Sequence, residues 1–411
     1  MKFLFSHRNF PGQFLHILKE LSKDPKNEIV FLTGTENKNF IQGVKKIVYY
    51  LKRKVPNNCH RYLRQFEESI IHGQGAAESA IKLKNSGFIP DVIYSHGWGN
   101  SLFFKDIFPN TPLINYSEWY YNTTGADIDF DKTIPDYDKK AMTRCNNSQF
   151  LQDLTSSDIA TCPTEWQKSQ FPKIFHNKIK VIHDGIDTEY FKPDDNVIFE
   201  IPNTDIKLTK NDNVLTYATR GMEQYRGFPE FMQTAKTLLQ KRKDLNILIA
   251  GEDRVCYGPK PKNGTFKEIM LEKLAFTDDE LKRLHFTGNL PYEKYLKLLQ
   301  VSSAHIYLTY PFVLSWSFLE AMSTGCAIIA SNTAPVTEMM KDNFNGFLVD
   351  FFNIPAMVKR AEYVLDNKKS PEVIEIKENV RKTIIEKYDL KKLLPKHIEL
   401  IKNVANRGKQ Q

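Results

Sequence analysis

Cysteine is scarce in this chain of 411 residues, which contains five cysteines and no Cys-x-x-Cys pair. An odd number of widely separated cysteines argues against a disulfide framework and against a cysteine-rich zinc site. The N-terminus carries one short apolar patch before charged residues begin, so we expect neither a signal peptide nor a spanning helix there. Together these features predict a reducing, cytoplasmic setting.

The sequence also lacks the usual signatures of nucleotide and metal sites. It contains no Gly-Lys-Ser/Thr phosphate loop and no His-Glu-x-x-His helix. Residues 73–78 begin like a Gly-x-Gly-x-x-Gly dinucleotide motif, but they lack the last glycine and follow a helical run rather than a strand. A dinucleotide site of that type is therefore excluded.

Positive charge is in excess, with a formal net charge of +8. The densest run of basic residues lies in residues 45–64 and comprises Lys45, Lys46, Lys52, Arg53, Lys54, Arg61 and Arg64. Such a run is typical either of a solvated strand edge and helix face or of peripheral membrane contact with anionic lipid. No recognition signature for nucleic acid accompanies it, so a nucleic-acid partner is not expected.

Apolar runs of strand length alternate with helical patterns through both halves of the chain. In the first half we predict strands at residues 2–6, 28–33, 46–50, 91–95, 112–116, 158–161 and 179–182. In the second half we predict strands at residues 214–218, 245–250, 285–288, 304–309 and 326–330. Residues 187–213 have no sustained period and resemble a connection between domains. The pattern predicts α/β architecture, with two Rossmann-like, doubly wound domains facing a central cleft.

Residues 310–325 join a predicted strand to a predicted helix through a loop. Ligands bind beyond the carboxyl ends of strands in parallel α/β sheets, so chemistry is expected at this loop. Because helix N-termini favour anions, a phosphate could bind here while the Glu320 carboxylate accepts hydrogen bonds from a neighbouring hydroxyl. A structural interpretation is equally good, since Ser317 and Glu320 fit a Ser-x-x-Glu capping box in the first turn of the helix.

Two arginines, Arg220 and Arg226, follow the first strand of the second half and are flanked by Gly221 and Gly227. Guanidinium groups donate planar, charge-assisted hydrogen bonds that suit a diphosphate, and glycine lets the backbone approach it. The alternative is a pair of exposed arginines in a loop.

Three positions of the first half also lie at predicted strand ends. His96 ends one strand, Glu118 follows the next among aromatic residues, and Gly12 lies in the first strand-to-helix turn. His96 and Glu118 are well placed for a cleft, and Gly12 marks a point where the backbone comes close to a neighbour. The structural alternatives are a capped loop at His96, a core corner at Glu118 and a tight turn without a ligand at Gly12.

Four of these segments, in their order and spacing, resemble the nucleotide-sugar glycosyltransferases of family four. They are residues 9–14 (Asn-Phe-Pro-Gly-Gln-Phe), 182–187 (Ile-His-Asp-Gly-Ile-Asp), the Arg220/Arg226 loop and 319–325 (Leu-Glu-Ala-Met-Ser-Thr-Gly). The start is similar to a bacterial subgroup with a distinctive N-terminal acceptor domain. The resemblance implies the GT-B fold, with an acceptor-binding domain at 1–190, a donor-binding domain at 191–385 and a C-terminal helix at 386–411 that packs back towards the first domain.

The resemblance implies roles at matching positions. Glu320 would hold the ribose hydroxyls of the donor nucleotide, and Arg220 and Arg226 would neutralise the diphosphate as it leaves. Further donor contacts are implied at Gly12, Val313, Leu314, Ser315, Gly288, Asn289 and Leu290. No metal and no cofactor are expected, because enzymes of this family usually work without a metal and the nucleotide sugar is a substrate.

Two departures from the family pattern affect the site. The paired acids Glu-x7-Glu would place the first acid at position 312, where this chain has Phe312. That acid commonly touches the donor sugar, so the departure bears on sugar recognition. The catalytic-site histidine of the family follows the strand near Tyr116, where this chain has Glu118. Either Glu118 or His96 would then act on the acceptor side, and the sequence leaves both open.

The resemblance implies a retaining glycosyltransferase that moves a hexose from a UDP- or GDP-sugar to a glycan, a lipid-linked sugar or another acceptor in bacterial polysaccharide or glycoconjugate synthesis. Phe312 motivates an alternative, a non-catalytic glycosyltransferase-like subunit that supports a partner. A third hypothesis keeps the fold but makes the protein a nucleotide-sugar epimerase or phosphorylase.

Overall fold

The computed structural model describes residues 1–408, which form two compact units. Unit 1 combines Met1–Gly185 with the segment that begins at Lys391, and unit 2 is Ile186–Leu390. The chain therefore passes between units at 185/186 and 390/391, five residues from the predicted boundaries at each crossing. Among the described residues, no helix is long and apolar enough to cross a membrane.

Unit 1 contains a seven-stranded, wholly parallel sheet in the order β3-β2-β1-β4-β5-β6-β7. Its strands are β1 (Lys2–His7), β2 (Glu28–Thr33), β3 (Val44–Val48), β4 (Val92–His96), β5 (Leu113–Tyr116), β6 (Ile159–Cys162) and β7 (Ile179–Val181). Helices cover both faces of such a sheet, so the residues of its inner strands are buried, as all five residues of β4 are. The predicted strands are confirmed, although β3 begins two residues before the prediction.

The helices of unit 1 lie between these strands. They are α1 (Leu15–Leu21), α2 (Arg64–Asn85), α3 (Phe104–Ile107), α4 (Tyr137–Asn146), α5 (Ser148–Ser156) and α6 (Glu165–Gln170), with a 3-10 turn at Gly12–Phe14. The helical run that precedes residues 73–78 is part of α2, which starts at Arg64. Sequence periodicity alone did not identify α4, α5 or α6.

Unit 2 contains a two-stranded antiparallel sheet and a six-stranded parallel sheet in the order β12-β11-β10-β13-β14-β15. The small sheet pairs β8 (Phe199–Glu200) with β9 (Lys207–Leu208) inside the segment predicted as a connection. The large sheet is built from β10 (Asn213–Gly221), β11 (Leu245–Glu252), β12 (Leu284–Gly288), β13 (Ala304–Tyr307), β14 (Ile328–Ser331) and β15 (Phe347–Val349). The five strands predicted here are confirmed, and β15 was missed.

Eight helices of unit 2 pack around its sheet. They are α7 (Phe228–Lys241), α8 (Phe266–Leu274), α9 (Asp278–Leu281), α10 (Tyr292–Val301), α11 (Trp316–Ser323), α12 (Ala334–Thr337), α13 (Ile354–Asp366) and α14 (Pro371–Lys387). The buried side chains of Phe318, Leu319 and Met322 on α11 lie in the centre of the core of this unit. Helix α11 and the loop before it are thereby fixed to the sheet.

The last described helix, α15 (Leu390–Gly408), returns the chain to unit 1. Its side chains Ile401, Val404 and Ala405 are buried in the same hydrophobic cluster as Phe3 and Phe5 of β1. The core of unit 1 is therefore built from both ends of the described chain.

Candidate functional site

Ser315 caps α11, the helix that follows β13. The Ser315 hydroxyl accepts a hydrogen bond from the Ser317 backbone N–H at 3.2 Å, and α11 begins at Trp316. Glu320 is therefore the fifth residue of the helix rather than part of its first turn. The predicted placement in the first turn is wrong, and so is the capping-box alternative, because the cap lies two residues before Ser317.

Glu320 is buried on the side of α11 that faces α10. Its side chain is 5% exposed, and its carboxylate accepts a hydrogen bond from the Tyr292 hydroxyl. Burial raises the pKa of Glu320 to about 7, while the hydroxyls of Tyr292 and Tyr295 act in the opposite direction. A carboxylate offers about four lone-pair positions, so a further hydroxyl can bind to it.

Arg226 and Arg220 lie in different surroundings. Arg226 is buried and donates to Thr309 Oγ1 at 2.6 Å and to the Val313 carbonyl at 3.0 Å. Its guanidinium also lies 5.0 Å from the centre of the Tyr257 ring. Arg220 is exposed near the end of β10. Arg226 thus holds the loop after β13 in place, whereas Arg220 extends from the same edge of the sheet.

The two glycines beside these arginines are required by protein packing. A Cβ at Gly221 would lie 2.5 Å from the Arg254 carbonyl oxygen, and one at Gly227 would lie 2.5 Å from Cβ of Leu308. Gly227 also has a φ of +63°, which a side chain disfavours. Packing within the protein therefore explains both glycines without a diphosphate.

Glu223 belongs to this edge and was missed from the sequence. It is fully buried, and its carboxylate accepts hydrogen bonds from the backbone N–H groups of Cys256, Tyr257 and Gly258 at 3.2, 2.9 and 2.8 Å. These bonds hold the loop after β11 against the turn that carries Arg226. A lone acid in a loop gives no signal of partners more than thirty residues away.

Phe312 lies where the family pattern has an acid. The ring is 5% exposed, with centroid distances of 5.6 Å to Tyr225 and 5.4 Å to Tyr257. Tyr225 in turn stacks on Tyr310 at 4.8 Å. An aromatic cluster therefore occupies the position at which the resemblance implied a carboxylate.

The other predicted donor contacts lie around the same edge. Leu314 is buried, and the Ser315 backbone N–H already donates to the Tyr307 hydroxyl at 3.1 Å. Gly288 ends β12 with a φ of +67° and open space where a Cβ would be. Of the two residues that follow Gly288, Asn289 is exposed and Leu290 packs against the core. Asn289 is therefore the side chain of this loop that is open to a ligand.

Unit 1 brings together both residues that the sequence left open. Nε2 of His96, at the end of β4, lies 3.7 Å from a carboxylate oxygen of Glu118, which follows β5. The other Glu118 oxygen accepts a hydrogen bond from Gln13 Nε2 at 3.2 Å. Parallel strands place their carboxyl ends at one edge, which explains why residues 22 positions apart meet here. Glu118 is the more accessible of the pair.

His7, which ends β1, completes this group and was not identified from the sequence. Its ring lies 4.4 Å from that of His96, and its Nδ1 accepts a hydrogen bond from the Asn9 N–H at 2.8 Å. A Cβ on Gly12 would lie 2.8 Å from the His7 ring, so glycine is needed at position 12 to admit the imidazole. Burial, with a smaller contribution from His7, lowers the pKa of His96 well below its usual value. His96 is therefore neutral at physiological pH.

Tyr116 links this group to the segment that resembles the family at 182–187. Its ring stacks on His96 at 5.2 Å, and its hydroxyl donates to a carboxylate oxygen of Asp184 at 3.0 Å. Within residues 1–408, no cluster of three or more histidine, cysteine, aspartate or glutamate side chains has an arrangement that could hold a metal ion.

The basic run at 45–64 does not form one free cluster. Lys46 donates to the Asn37 carbonyl at 2.7 Å, and its ammonium lies 5.1 Å from the centre of the Phe10 ring. Arg53 pairs with Glu67, and Arg61 pairs with Asp138. Several basic side chains of this run therefore already have partners within unit 1.

Two family models match successive parts of the chain. The model of the glycosyl transferase family 4 group matches residues 25–191, and that of the glycosyl transferases group 1 matches residues 202–383. The first falls almost wholly in unit 1 and the second wholly in unit 2.

Two curated relatives are described as uncharacterized glycosyltransferases. One, from Methanocaldococcus jannaschii, is 30% identical over 124 residues, which are 30% of this chain and 31% of the relative. The other, from Haemophilus influenzae, is 25% identical over 210 residues, which are 50% of this chain and 55% of the relative. The chain thus spans about a third and about half of the length of these relatives.

The solved structure of Anabaena HepE in complex with UDP is similar over nearly the whole chain. The TM-score is 0.68 at 12% identity, covering 98% of this chain and 100% of HepE. HepE in complex with UDP-glucose matches with a TM-score of 0.65 at 13% identity over the same shares. At this identity the likeness shows a shared fold, the pair of Rossmann-like domains of GT-B proteins.

Proposed function

We propose, on the premise that the chain belongs to the GT-B superfamily of glycosyltransferases, that it transfers a hexose from a UDP-sugar to a glycan or lipid-linked acceptor. The observation that carries the proposal is Glu320, a buried carboxylate beyond the end of β13 that serves neither as a helix cap nor as an ion-pair partner of a described residue. The UDP and UDP-glucose bound to HepE support the donor class.

On the donor side, Glu320 accepts hydrogen bonds from the ribose hydroxyls, using lone pairs that Tyr292 leaves open. Arg220 reaches the diphosphate from the exposed end of β10. Arg226 acts mainly by holding the 309–313 loop, and its positive charge adds to the field at the same edge. Positive charge fixed beside the diphosphate stabilises the negative charge that develops as the nucleotide leaves.

On the acceptor side, Glu118 accepts a hydrogen bond from the attacking hydroxyl. Gln13 holds the other oxygen of that carboxylate, and neutral His96 lies beside it. The bond between the sugar C1 and the diphosphate oxygen breaks as a bond from C1 to the acceptor oxygen forms on the same face. The acceptor proton passes to the departing phosphate oxygen, so the products are the glycoside, with its anomeric configuration retained, and UDP. No metal takes part in this scheme.

A titration of the purified chain with UDP tests the donor site. Glu320→Gln should weaken UDP binding about tenfold, because a charged acceptor of hydrogen bonds is lost. Glu293→Gln, which removes an exposed carboxylate of the same unit, should leave binding unchanged. Equal affinity of the Glu320→Gln variant and the wild type would remove Glu320 from the donor site.

Slow hydrolysis of UDP-glucose tests the reaction itself without a known acceptor. The wild type should release UDP and α-glucose as the first anomer seen by NMR, since water then replaces the acceptor. First release of β-glucose would exclude retention of configuration.

The buried aromatic cluster around Phe312 favours a second candidate, a non-catalytic subunit that binds a nucleotide sugar for a partner enzyme. In that case UDP would bind and UDP-glucose would stay intact. Turnover by the chain alone, reduced by Glu118→Gln, would exclude this candidate.

A further inference from the structure

A groove of about 470 Å³ runs along the outer edge of the sheet of unit 1. One wall is β3, the edge strand, together with the residues that follow it, and the other is the face of α2 that carries Gly75, Glu78 and Lys82. These α2 positions are three or four residues apart, so they line one side of the helix. Neither the family resemblance nor the proposed reaction assigns a role to this groove.

The groove is positively charged. Lys45, Lys52 and Lys82 line it together with one acid, Glu78, which pairs with Lys52 at 2.6 Å. Lys45 and Lys82 are exposed and have no ion-pair partner among residues 1–408. Two ammonium groups on opposite walls are thus available to a ligand that carries carboxylates or phosphates.

An aromatic ring lies at one end of the groove. Tyr50 is 74% exposed, whereas its neighbour Tyr49 is buried and donates from its hydroxyl to Asn100 Oδ1 at 2.9 Å. Tyr49 fixes the chain from which Tyr50 projects. An exposed ring with a fixed base presents an apolar face to a sugar ring at little entropic cost.

The end with Tyr50 lies at the chemically important edge of the sheet. Tyr50 follows the carboxyl end of β3, His96 ends β4 and Glu118 follows β5 in the same parallel sheet, with β2 and β1 between β3 and β4. From that edge the groove extends along a strand of five residues, roughly 16 Å at about 3.3 Å per residue. Its length suits a chain of linked sugars better than a single sugar.

We propose that this groove binds an acidic glycan, the growing chain that accepts the sugar in the proposed reaction. Lys45 and Lys82 pair with its acidic groups, and Tyr50 packs against a sugar ring. A concave groove with charged walls fits an extended polyanion better than it fits a flat bilayer, although Tyr50 and Leu51 are exposed beside the lysines. The identification of this glycan as the acceptor rests on the proposed function.

The test measures binding of a hexamer of α-1,4-linked galacturonate by NMR titration at low salt. Maltohexaose, which is neutral, and vesicles with 30% phosphatidylserine are the comparison ligands. The wild type should bind the galacturonate hexamer, more weakly as salt rises, and should bind maltohexaose at least tenfold more weakly. The double variant Lys45→Gln/Lys82→Gln should lose about tenfold in affinity for the hexamer, and Tyr50→Ala should lose about threefold.

The control is a second double variant, Lys173→Gln/Lys180→Gln, in which exposed lysines at and before β7, the opposite edge of the same sheet, are neutralised. Both double variants change the net charge equally, so an equal loss in both would show attraction to net charge and overturn the site. Binding to the vesicles but not to the hexamer would overturn the glycan in favour of a lipid surface. UDP binding is measured on the same samples: intact UDP binding without hexamer binding refutes the groove alone, and absent UDP binding refutes the proposed function.

Discussion

The carboxyl edges of the two parallel sheets differ in how their charged side chains are used. In unit 2 the buried charges of Glu223 and Arg226 are bonded to backbone and side chains of neighbouring loops. In unit 1, Nε2 of His96 has no hydrogen-bond partner among the described residues, and Glu118 is partly open to solvent. Two edges of similar topology thus differ: buried charges of unit 2 fix the shape of its loops, whereas Nε2 of His96 in unit 1 is buried without a partner among the described residues.

The largest expected effect comes from Glu223→Ala, which removes the buried carboxylate that accepts hydrogen bonds from three backbone N–H groups. At about 1.5 kcal/mol for each hydrogen bond to a charged group, the free energy of unfolding of unit 2 should fall by roughly 4 kcal/mol. Trp316, the tryptophan of unit 2, reports this by fluorescence during urea unfolding. Glu223→Gln keeps an acceptor oxygen and should lose less, and a loss below about 1 kcal/mol in the alanine variant would contradict the comparison.

Next comes the pH dependence caused by Glu320. Burial raises its pKa to about 7, so the protonated carboxyl favours the folded state. This contribution is fully present below the unfolded pKa near 4.5 and is lost as pH rises through about 7, a change of roughly 3 kcal/mol. The difference in unfolding free energy between wild type and Glu320→Gln should fall across this window, in the absence of nucleotide. Glu293→Gln is the control, and a flat difference for Glu320→Gln would show that the carboxylate is better solvated than the structure indicates.

Arg226→Lys has a smaller expected effect, because the positive charge remains. A lysine ammonium cannot reproduce the planar pair of bonds to Thr309 and Val313, so unfolding of unit 2 should become easier by about 2 kcal/mol. Arg220→Lys, at an exposed position, should change stability by less than about 0.5 kcal/mol. Equal effects of the two substitutions on urea unfolding would remove the distinction drawn between these arginines.

The smallest effect is on ligand affinity. Arg220→Ala should weaken UDP binding about tenfold without changing stability, because an exposed guanidinium is lost from the donor site. Glu118→Gln in unit 1 should leave UDP affinity unchanged. A titration in which Glu118→Gln weakened UDP binding as much as Arg220→Ala would contradict the assignment of the donor to unit 2.

Most of the strands were predictable because they are short apolar runs, and both parallel sheets bury such runs on two faces, although β15 was missed. The placement of the candidate residues was predictable to the extent that they lie at strand ends: His96 ends β4, Glu118 follows β5 and Arg220 lies near the end of β10. The helix start at Trp316 was not predictable, since Ser315 and Ser317 are both acceptable caps and the choice depends on the hydrogen bond of Ser315 N–H to Tyr307. The sequence therefore identified Glu320 but placed it wrongly in its helix.

Residues that act through distant partners were missed for a different reason. The partners of Glu223 are backbone groups of another loop, which no side-chain pattern marks. The His7 ring fits because Gly12 has no side chain. A glycine in a turn looks the same in the sequence whether it makes room for an imidazole or for a phosphate. Tertiary proximity, rather than local pattern, decides such cases.

The shared core of β1 and α15 also has a consequence for synthesis on the ribosome. Phe3 and Phe5 leave the ribosome before Ile401, Val404 and Ala405, which belong to the same hydrophobic cluster. Unit 2 ends at Leu390, so its residues leave the ribosome before Ile401, Val404 and Ala405 do. During synthesis, unit 2 should therefore fold before unit 1. The apolar cluster of unit 1 should stay partly exposed until α15 has left the ribosome.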